Sequence, residues 1–123
     1  MSLDQRSEGL TFLEREVDEV SMLSVSGDLD FAAAGGLCAR MHRISRAGGR
    51  CLLLDLRDLR FCEPRAVRAV SGAVEEFIAN AGVIAIVPPT EDVPAEVFAA
   101  SGGLEFLPLH DSVFSALAAL NES

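Results

Sequence analysis

Hydrophobic and polar positions follow two patterns along the chain, one typical of strands and the other of helices. Short β-prone runs at residues 10–16 and 20–25 flank an acidic turn, which predicts a β-hairpin. Residues 51–54 and 83–87 are apolar without polar alternation, as in strands that are covered on both faces. A last strand is predicted at residues 104–109. These segments supply the strands of a sheet.

Four helices are predicted between and after these strands. Gly27 to Asp30 ends the second strand and supplies an N-cap for the first helix, which Gly48-Gly49 terminates. Pro64 suits the first position of the second helix because its missing N–H has no partner there anyway. A short third helix is predicted at residues 92–101, and Asp111 is predicted to cap the last one. The buried stripe of the second helix is predicted to consist of Val67, Val70, Val74, Phe77 and Ala81.

The order of these elements predicts the fold class. Strands and helices follow one another as ββαβαβαβα, which indicates an α/β domain with a mixed, mostly parallel sheet covered by helices. Residues 10–122 are predicted to form a single domain. Residues 1–9 are polar and without a period, so we expect a flexible N-terminus, in which Met1 to Leu3 are compatible with a cloning remnant.

Composition and charge exclude several classes of function. The 123 residues carry a net charge of −9, although residues 31–70 hold eight arginines and three acidic residues. An acidic chain is a poor candidate for binding nucleic acid, because phosphate contacts need clustered cations, so we expect no nucleic-acid partner. The local basic block could instead serve an acidic partner surface or a single anion. Lysine is absent, which excludes Schiff-base and P-loop chemistry. Apolar runs of at most five residues predict no membrane insertion.

The residues that could carry catalysis are few. His42 and His110 have no metal-ligand spacing, and the three cysteines form no CxxC, which favours reduced thiols in a cytoplasm. Cys38 and Cys51 are interpreted as core residues. Cys62 precedes a helix N-terminus near two arginines, a setting that lowers a thiol pKa, although simple burial is the favoured interpretation. We therefore expect no catalytic residue, no cofactor and no metal site.

Two motifs resemble a known family. Gly27-Asp28-Leu29-Asp30 follows the second strand, and Asp55-Leu56-Arg57-Asp58-Leu59-Arg60-Phe61-Cys62-Glu63 leads from the third strand to the second helix. With a weaker echo between Ser101 and Leu117, the chain resembles the STAS family, which comprises domains of sulphate transporters and anti-sigma factor antagonists. The resemblance covers about residues 10–121 and is closest to the stand-alone antagonist type, whose α/β fold agrees with the predicted order.

The resemblance implies a mechanism with one part missing. In the antagonists, the loop before the second helix carries a phosphoacceptor serine after an aspartate, and the unphosphorylated surface binds an anti-sigma factor, which is a serine kinase of ATPase fold. Here the switch-loop equivalents are Glu63, Pro64, Arg65 and Ala66, with Pro64 at the serine position. The resemblance therefore implies docking without a phosphoacceptor.

Four residues are candidates for binding the partner. Arg65 and Arg68 follow the motif, and with the arginines that precede them they are expected to make this rim electropositive. Asp28 and Asp30 border the same face in the family. The simpler interpretations are a solvated loop for the arginines and a turn and helix cap for the aspartates.

The leading hypothesis is a non-enzymatic, cytoplasmic interaction module of the anti-sigma factor antagonist type. One alternative is an accessory STAS subunit of a transporter or signalling assembly, which would need no phosphate. A second alternative is a sensor that uses the arginine rim to hold an anion or a nucleotide.

Overall fold

The computed structural model describes residues 3–7, 9–89 and 109–122. Within these residues the chain forms five strands and three helices: β1 (Leu3–Ser7), β2 (Leu10–Val17), β3 (Val20–Leu29), α1 (Phe31–Arg46), β4 (Cys51–Cys62), α2 (Pro64–Ala79), β5 (Val83–Val87) and α3 (Val113–Asn121). None of the described helices is long and apolar enough to cross a membrane.

The strands form one mixed sheet in the order β1-β2-β3-β4-β5. The first two pairings are antiparallel, whereas β3 with β4 and β4 with β5 are parallel. Leu109 adds a further parallel bridge to Ile86, at the end of the strand predicted for residues 104–109. The rest of that strand, and the helix predicted at 92–101, lie outside the described residues. The predicted α/β class with a mixed sheet is confirmed.

The N-terminus differs from the prediction of a flexible start. Leu3–Ser7 forms β1, which pairs with β2 from Leu3 opposite Glu14 to Ser7 opposite Leu10. Five polar or mixed residues without a period give no local strand signal, and the strand is defined by its partner instead.

The hairpin between β2 and β3 is confirmed. Asp18 and Glu19 have φ angles of 49° and 67°, between the paired residues Val17 and Val20. Positive φ at both central positions is the type I′ geometry, whose twist matches that of the flanking strands.

The starts of α1 and α2 agree with the sequence, whereas the end of α2 and the start of α3 need corrections. The Asp30 carboxylate accepts a hydrogen bond from the backbone N–H of Ala33 at 2.8 Å and caps α1. Pro64 is the first residue of α2, as predicted. Ala81 is wrong as a member of the buried stripe, because it lies beyond the helix end, exposed, with a φ of 68°. Ser112, rather than Asp111, caps α3, and its hydroxyl accepts from the N–H of Ser115 at 3.0 Å.

β4 continues beyond the predicted residues 51–54 to Cys62, and this continuation contains two bulges. Its pairing with β3 shifts register between Ser24 and Ser26 and again between Gly27 and Asp28, each time with one extra residue on β4. The buried positions Leu56, Leu59 and Cys62 are therefore three residues apart instead of two. This spacing hides the strand signal of the second motif.

The sheet separates two apolar layers. α1 and α2 cover one face, where the core includes Leu23, Leu54 and Val67, and α3 covers part of the other face over Met22 and Leu53. This arrangement fixes both long helices against the parallel half of the sheet, so that their first residues lie at its carboxyl edge.

Candidate functional site

The first residues of α1 and α2 lie side by side because the strands before them are paired. Leu29, the last residue of β3, is opposite Cys62, the last residue of β4. The backbone N–H of Glu63 donates to the carbonyl of Leu29 at 2.9 Å. We call the surface formed here by Asp28, Asp30, Phe31, Glu63, Arg65 and Arg68 the helix-start surface.

Phe31 is the contact between the two helices on this surface. Its backbone N–H donates to Oε2 of Glu63 at 3.4 Å. The guanidinium carbon of Arg65 lies 4.3 Å from the centroid of the Phe31 ring, which is cation–π geometry. Two of the switch-loop equivalents thus contact the first residue of the neighbouring helix.

The two predicted aspartates have different environments. Asp30 is half-buried and its carboxylate caps α1, which is the structural role weighed from the sequence. Asp28 is exposed, and its Oδ1 lies 3.9 Å from Nε of Arg60. Asp28 lies near the end of β3 and Asp30 directly before α1, so the motif brings both to the same edge of the sheet.

The expectation of an electropositive rim needs a correction. Arg57 is bound to the carboxylate of Asp55, and Arg60 lies beside Asp28, so neither contributes an uncompensated charge. Arg65 and Arg68 are both exposed and three residues apart on α2, which puts them on one side of the helix. Positive charge on the helix-start surface is therefore confined to these two residues.

The switch-loop equivalents offer no hydroxyl group. Pro64 and Arg65 are exposed, Glu63 is half-buried, and Ala66 is fully buried in the core. The next hydroxyl along α2 belongs to Ser71, which is buried and donates to the carbonyl of Val67 at 3.0 Å.

Cys62 does not have the lowered pKa that its setting in the sequence suggested. Burial raises the pKa of its thiol to about 11. Burial likewise raises the pKa of Cys38, whose thiol donates to the carbonyl of Ala69 at 3.6 Å. A protonated, desolvated thiol is a poor nucleophile, so Cys62 acts as a core residue.

Both histidines contact residues that lie outside the helix-start surface. Nδ1 of His42 is 3.3 Å from a carboxylate oxygen of Glu76, which joins α1 to α2 further along both helices. Nδ1 of His110 lies 3.3 Å from the hydroxyl of Ser115. Across residues 9–89 and 109–122, no three metal-ligating side chains come together.

Two exposed aromatic residues were not predicted as site residues. Phe31 and Phe61 are 51% and 50% exposed, which is unusual for phenylalanine beside a helix start. The feature that could have identified Phe31 as a site residue is its position directly after the N-cap, in a first turn that faces solvent. Phe61 is opposite Asp28 in the sheet, and both are exposed. Each of these rings therefore adds exposed apolar area close to charged side chains, a combination that is common in protein-binding surfaces.

A comparison with protein families establishes the family to which this chain belongs. The STAS domain matches residues 13–116, which include both motifs and the start of α2. The chain belongs to the STAS domain family. No curated protein sequence matches this STAS domain.

Solved structures share the fold of this STAS domain. An anti-sigma factor antagonist from Mycobacterium paratuberculosis is 22% identical, with a TM-score of 0.78 over 91% of this chain and 94% of that one. SpoIIAA of Bacillus, an anti-sigma factor antagonist solved in its unphosphorylated form, is 21% identical, with a TM-score of 0.71 over 91% and 97% of the chains. A protein from Thermotoga maritima is 18% identical, with a TM-score of 0.77 over 89% and 94%. At these identities the likeness concerns the fold.

Proposed function

We propose that this STAS domain is a non-enzymatic regulatory module that binds an ATPase-fold anti-sigma factor in the cytoplasm. In this role it is an anti-sigma factor antagonist that lacks the phosphoacceptor serine. The helix-start surface is the docking surface, with Asp28, Asp30, Arg65 and Arg68 as the residues that contact the partner.

The composition of the switch loop is the observation that carries this proposal. Glu63, Pro64, Arg65 and Ala66 open α2 on a surface that is otherwise suited to docking, and none of them has a hydroxyl group. Phosphoryl transfer needs a nucleophilic oxygen in line with the nucleotide. The surface can therefore bind a kinase-type partner without becoming its substrate.

Arg65 and Arg68 support acidic groups on the part of the partner that faces the first turns of α2. Arg65 and Arg68 are exposed on the first turns of α2, where the helix dipole adds partial positive charge. Charges at the rim of an interface mainly set the association rate and the specificity. The half-exposed ring of Phe31, the first residue of α1, adds apolar area beside Arg65.

Solved relatives support the choice of partner class. Those from Mycobacterium paratuberculosis and Bacillus are described as anti-sigma factor antagonists, and SpoIIAA has been solved in phosphorylated and unphosphorylated forms. The proposal assigns to this chain the binding role of an anti-sigma factor antagonist, without phosphorylation of the switch loop.

Affinity capture with the tagged chain tests the proposal. We expect it to retain an ATPase-fold anti-sigma factor from the soluble fraction of its own organism. Arg65→Glu and Arg68→Glu should weaken the complex and slow its formation. Arg15→Glu is the matched control, because Arg15 is exposed on β2 opposite Met22, near the hairpin turn at the other end of β3. Capture of a membrane transporter component in place of the anti-sigma factor would contradict the proposal and support the accessory-subunit alternative.

A further inference from the structure

The substitutions in the switch loop create contacts as well as removing a hydroxyl group. By the family resemblance, Glu63 stands for the aspartate and Arg65 for a hydroxyl residue. The carboxylate of Glu63 accepts from the N–H of Phe31 at 3.4 Å, and the guanidinium of Arg65 lies 4.3 Å from its ring centroid. Both changed residues therefore contact the same residue of α1.

These contacts limit the freedom of the docking surface. An exposed arginine samples many rotamers, and a partner that binds it must restrict them at an entropic cost. Stacking on Phe31 restricts the Arg65 side chain before any partner arrives. The Glu63 contact holds the residue before α2 against the start of α1.

We propose that Phe31 is a positioning residue, which acts on the partner through Arg65. Its ring holds the guanidinium of Arg65 in one orientation, and its N–H holds the Glu63 carboxylate, so that the docking surface has a set arrangement without covalent modification. The inference rests on the proposed function for the identity of the partner, while the positioning itself is a property of this chain alone.

A pair of phenylalanines provides the matched control. Phe31 and Phe61 are equally exposed, but the ring of Phe31 is the one under Arg65. Phe31→Leu removes the ring and keeps the backbone N–H for Glu63. Phe31→Tyr keeps the ring, and Phe61→Leu removes an aromatic ring that does not hold Arg65.

NMR of the free protein tests the positioning without a partner. In the unmodified protein and in Phe31→Tyr, the δ-methylene protons of Arg65 should show an upfield ring-current shift. The shift should be lost in Phe31→Leu and kept in Phe61→Leu. Unchanged Arg65 shifts in Phe31→Leu would overturn the inference, whatever the partner is.

A double-mutant cycle on binding tests whether Phe31 acts on the partner through Arg65. The probe is the recombinant ATPase-fold anti-sigma factor of the same organism. Phe31→Leu should weaken its binding about two- to fivefold, as expected for loss of an exposed cation–π contact. In the Arg65→Ala background the same change should have no further effect. Additive losses would show that Phe31 contacts the partner directly and would overturn the inference. Absence of binding by the unmodified chain would count against the proposed function, and the NMR experiment would then decide the positioning of Arg65.

Discussion

Arg57 holds the carboxylate of Asp55, two residues earlier on β4, with two side-chain hydrogen bonds. Nε donates to Oδ1 at 2.9 Å and a terminal nitrogen donates to Oδ2 at 3.0 Å. The Asp55 side chain is only 4% exposed, whereas that of Arg57 is 46% exposed. The hydrogen bonds from Arg57 to Asp55, together with the negative charge of that carboxylate, raise the pKa of Arg57. The second motif thus begins with a buried acid and its partner, and this arginine belongs to the fold rather than to the docking surface.

Loss of Arg57 should destabilise the fold. Arg57→Ala removes both guanidinium hydrogen bonds from the buried Asp55 carboxylate, whose Oδ1 keeps only the backbone N–H of residue 57 at 3.2 Å. Loss of donors to a buried acceptor costs about 1–3 kcal/mol. Arg60→Ala is the matched control, because its carboxylate neighbour Asp28 is exposed and surface pairs contribute about 0–1 kcal/mol. Urea unfolding of both variants measures the difference. Equal midpoints for the two variants would contradict this role of Arg57.

The sequence predicted the parts of the fold that have local signals. Asp30 as a cap, Pro64 at a helix start and the acidic turn before Val20 are each explained by one or two residues, and the structure confirms them. The length of β4 could not be predicted, because its two bulges turn the spacing of two into a spacing of three.

The candidate site was predicted only in part, because some of its contacts depend on residues that are distant in the sequence. The two motifs placed Asp28, Asp30 and Arg65 at one edge through the family resemblance. The stacking of Arg65 on Phe31 depends on the pairing of Leu29 with Cys62, which is a tertiary relationship. Likewise, counting arginines could not show that Arg57 is bound to a buried carboxylate.

The glycine of the first motif should not tolerate a side chain. Gly27 has a φ of 110°, and a Cβ there would lie 2.4 Å from the carbonyl oxygen of Gly9. Gly27→Ala is therefore expected to cost more than about 2 kcal/mol, from backbone strain and the collision together. Gly72→Ala is the opposite control: a Cβ on this residue of α2 meets nothing within 4 Å, and alanine should stabilise the helix by about 0.5–1 kcal/mol. The midpoint of thermal unfolding should fall in Gly27→Ala and rise in Gly72→Ala. A Gly27→Ala protein as stable as the unmodified chain would contradict the close approach of residue 27 to the Gly9 carbonyl.

Burial of Cys62 should make stability depend on alkaline pH. The folded thiol has a pKa of about 11, above the usual value of 9.0 that the unfolded chain regains. Between these values the unfolded state loses a proton that the folded state keeps, so the free energy of unfolding should fall as pH rises from about 9 to 11. In Cys62→Ala this part of the slope should be missing, as measured by urea unfolding across that range. Identical slopes in both proteins would show that the thiol titrates normally in the fold.

Kinase treatment should leave the start of α2 unmodified. Pro64 and Arg65 have no hydroxyl, and Ser71 is buried with its hydroxyl bonded to the carbonyl of Val67. After incubation with the ATPase-fold kinase and ATP, peptide mass spectrometry should find no phosphate between Phe61 and Ala73. Pro64→Ser, which puts a hydroxyl group at the family's serine position and keeps Arg65 on the docking surface, should restore acceptance. Stoichiometric phosphate on Ser71 of the unmodified chain would mean that a switch is present after all.

Binding before and after exposure to ATP tests the central claim most directly. Isothermal titration of the chain with its ATPase-fold anti-sigma factor should give the same affinity with fresh protein and with protein incubated beforehand with that kinase, magnesium and ATP. Arg65→Glu should weaken both titrations, and the thermal stability of that variant should stay nearly unchanged because Arg65 is exposed. An affinity that collapses after the ATP incubation, or one that Arg65→Glu and Arg68→Glu both leave untouched, would contradict a permanently competent docking surface at the start of α2.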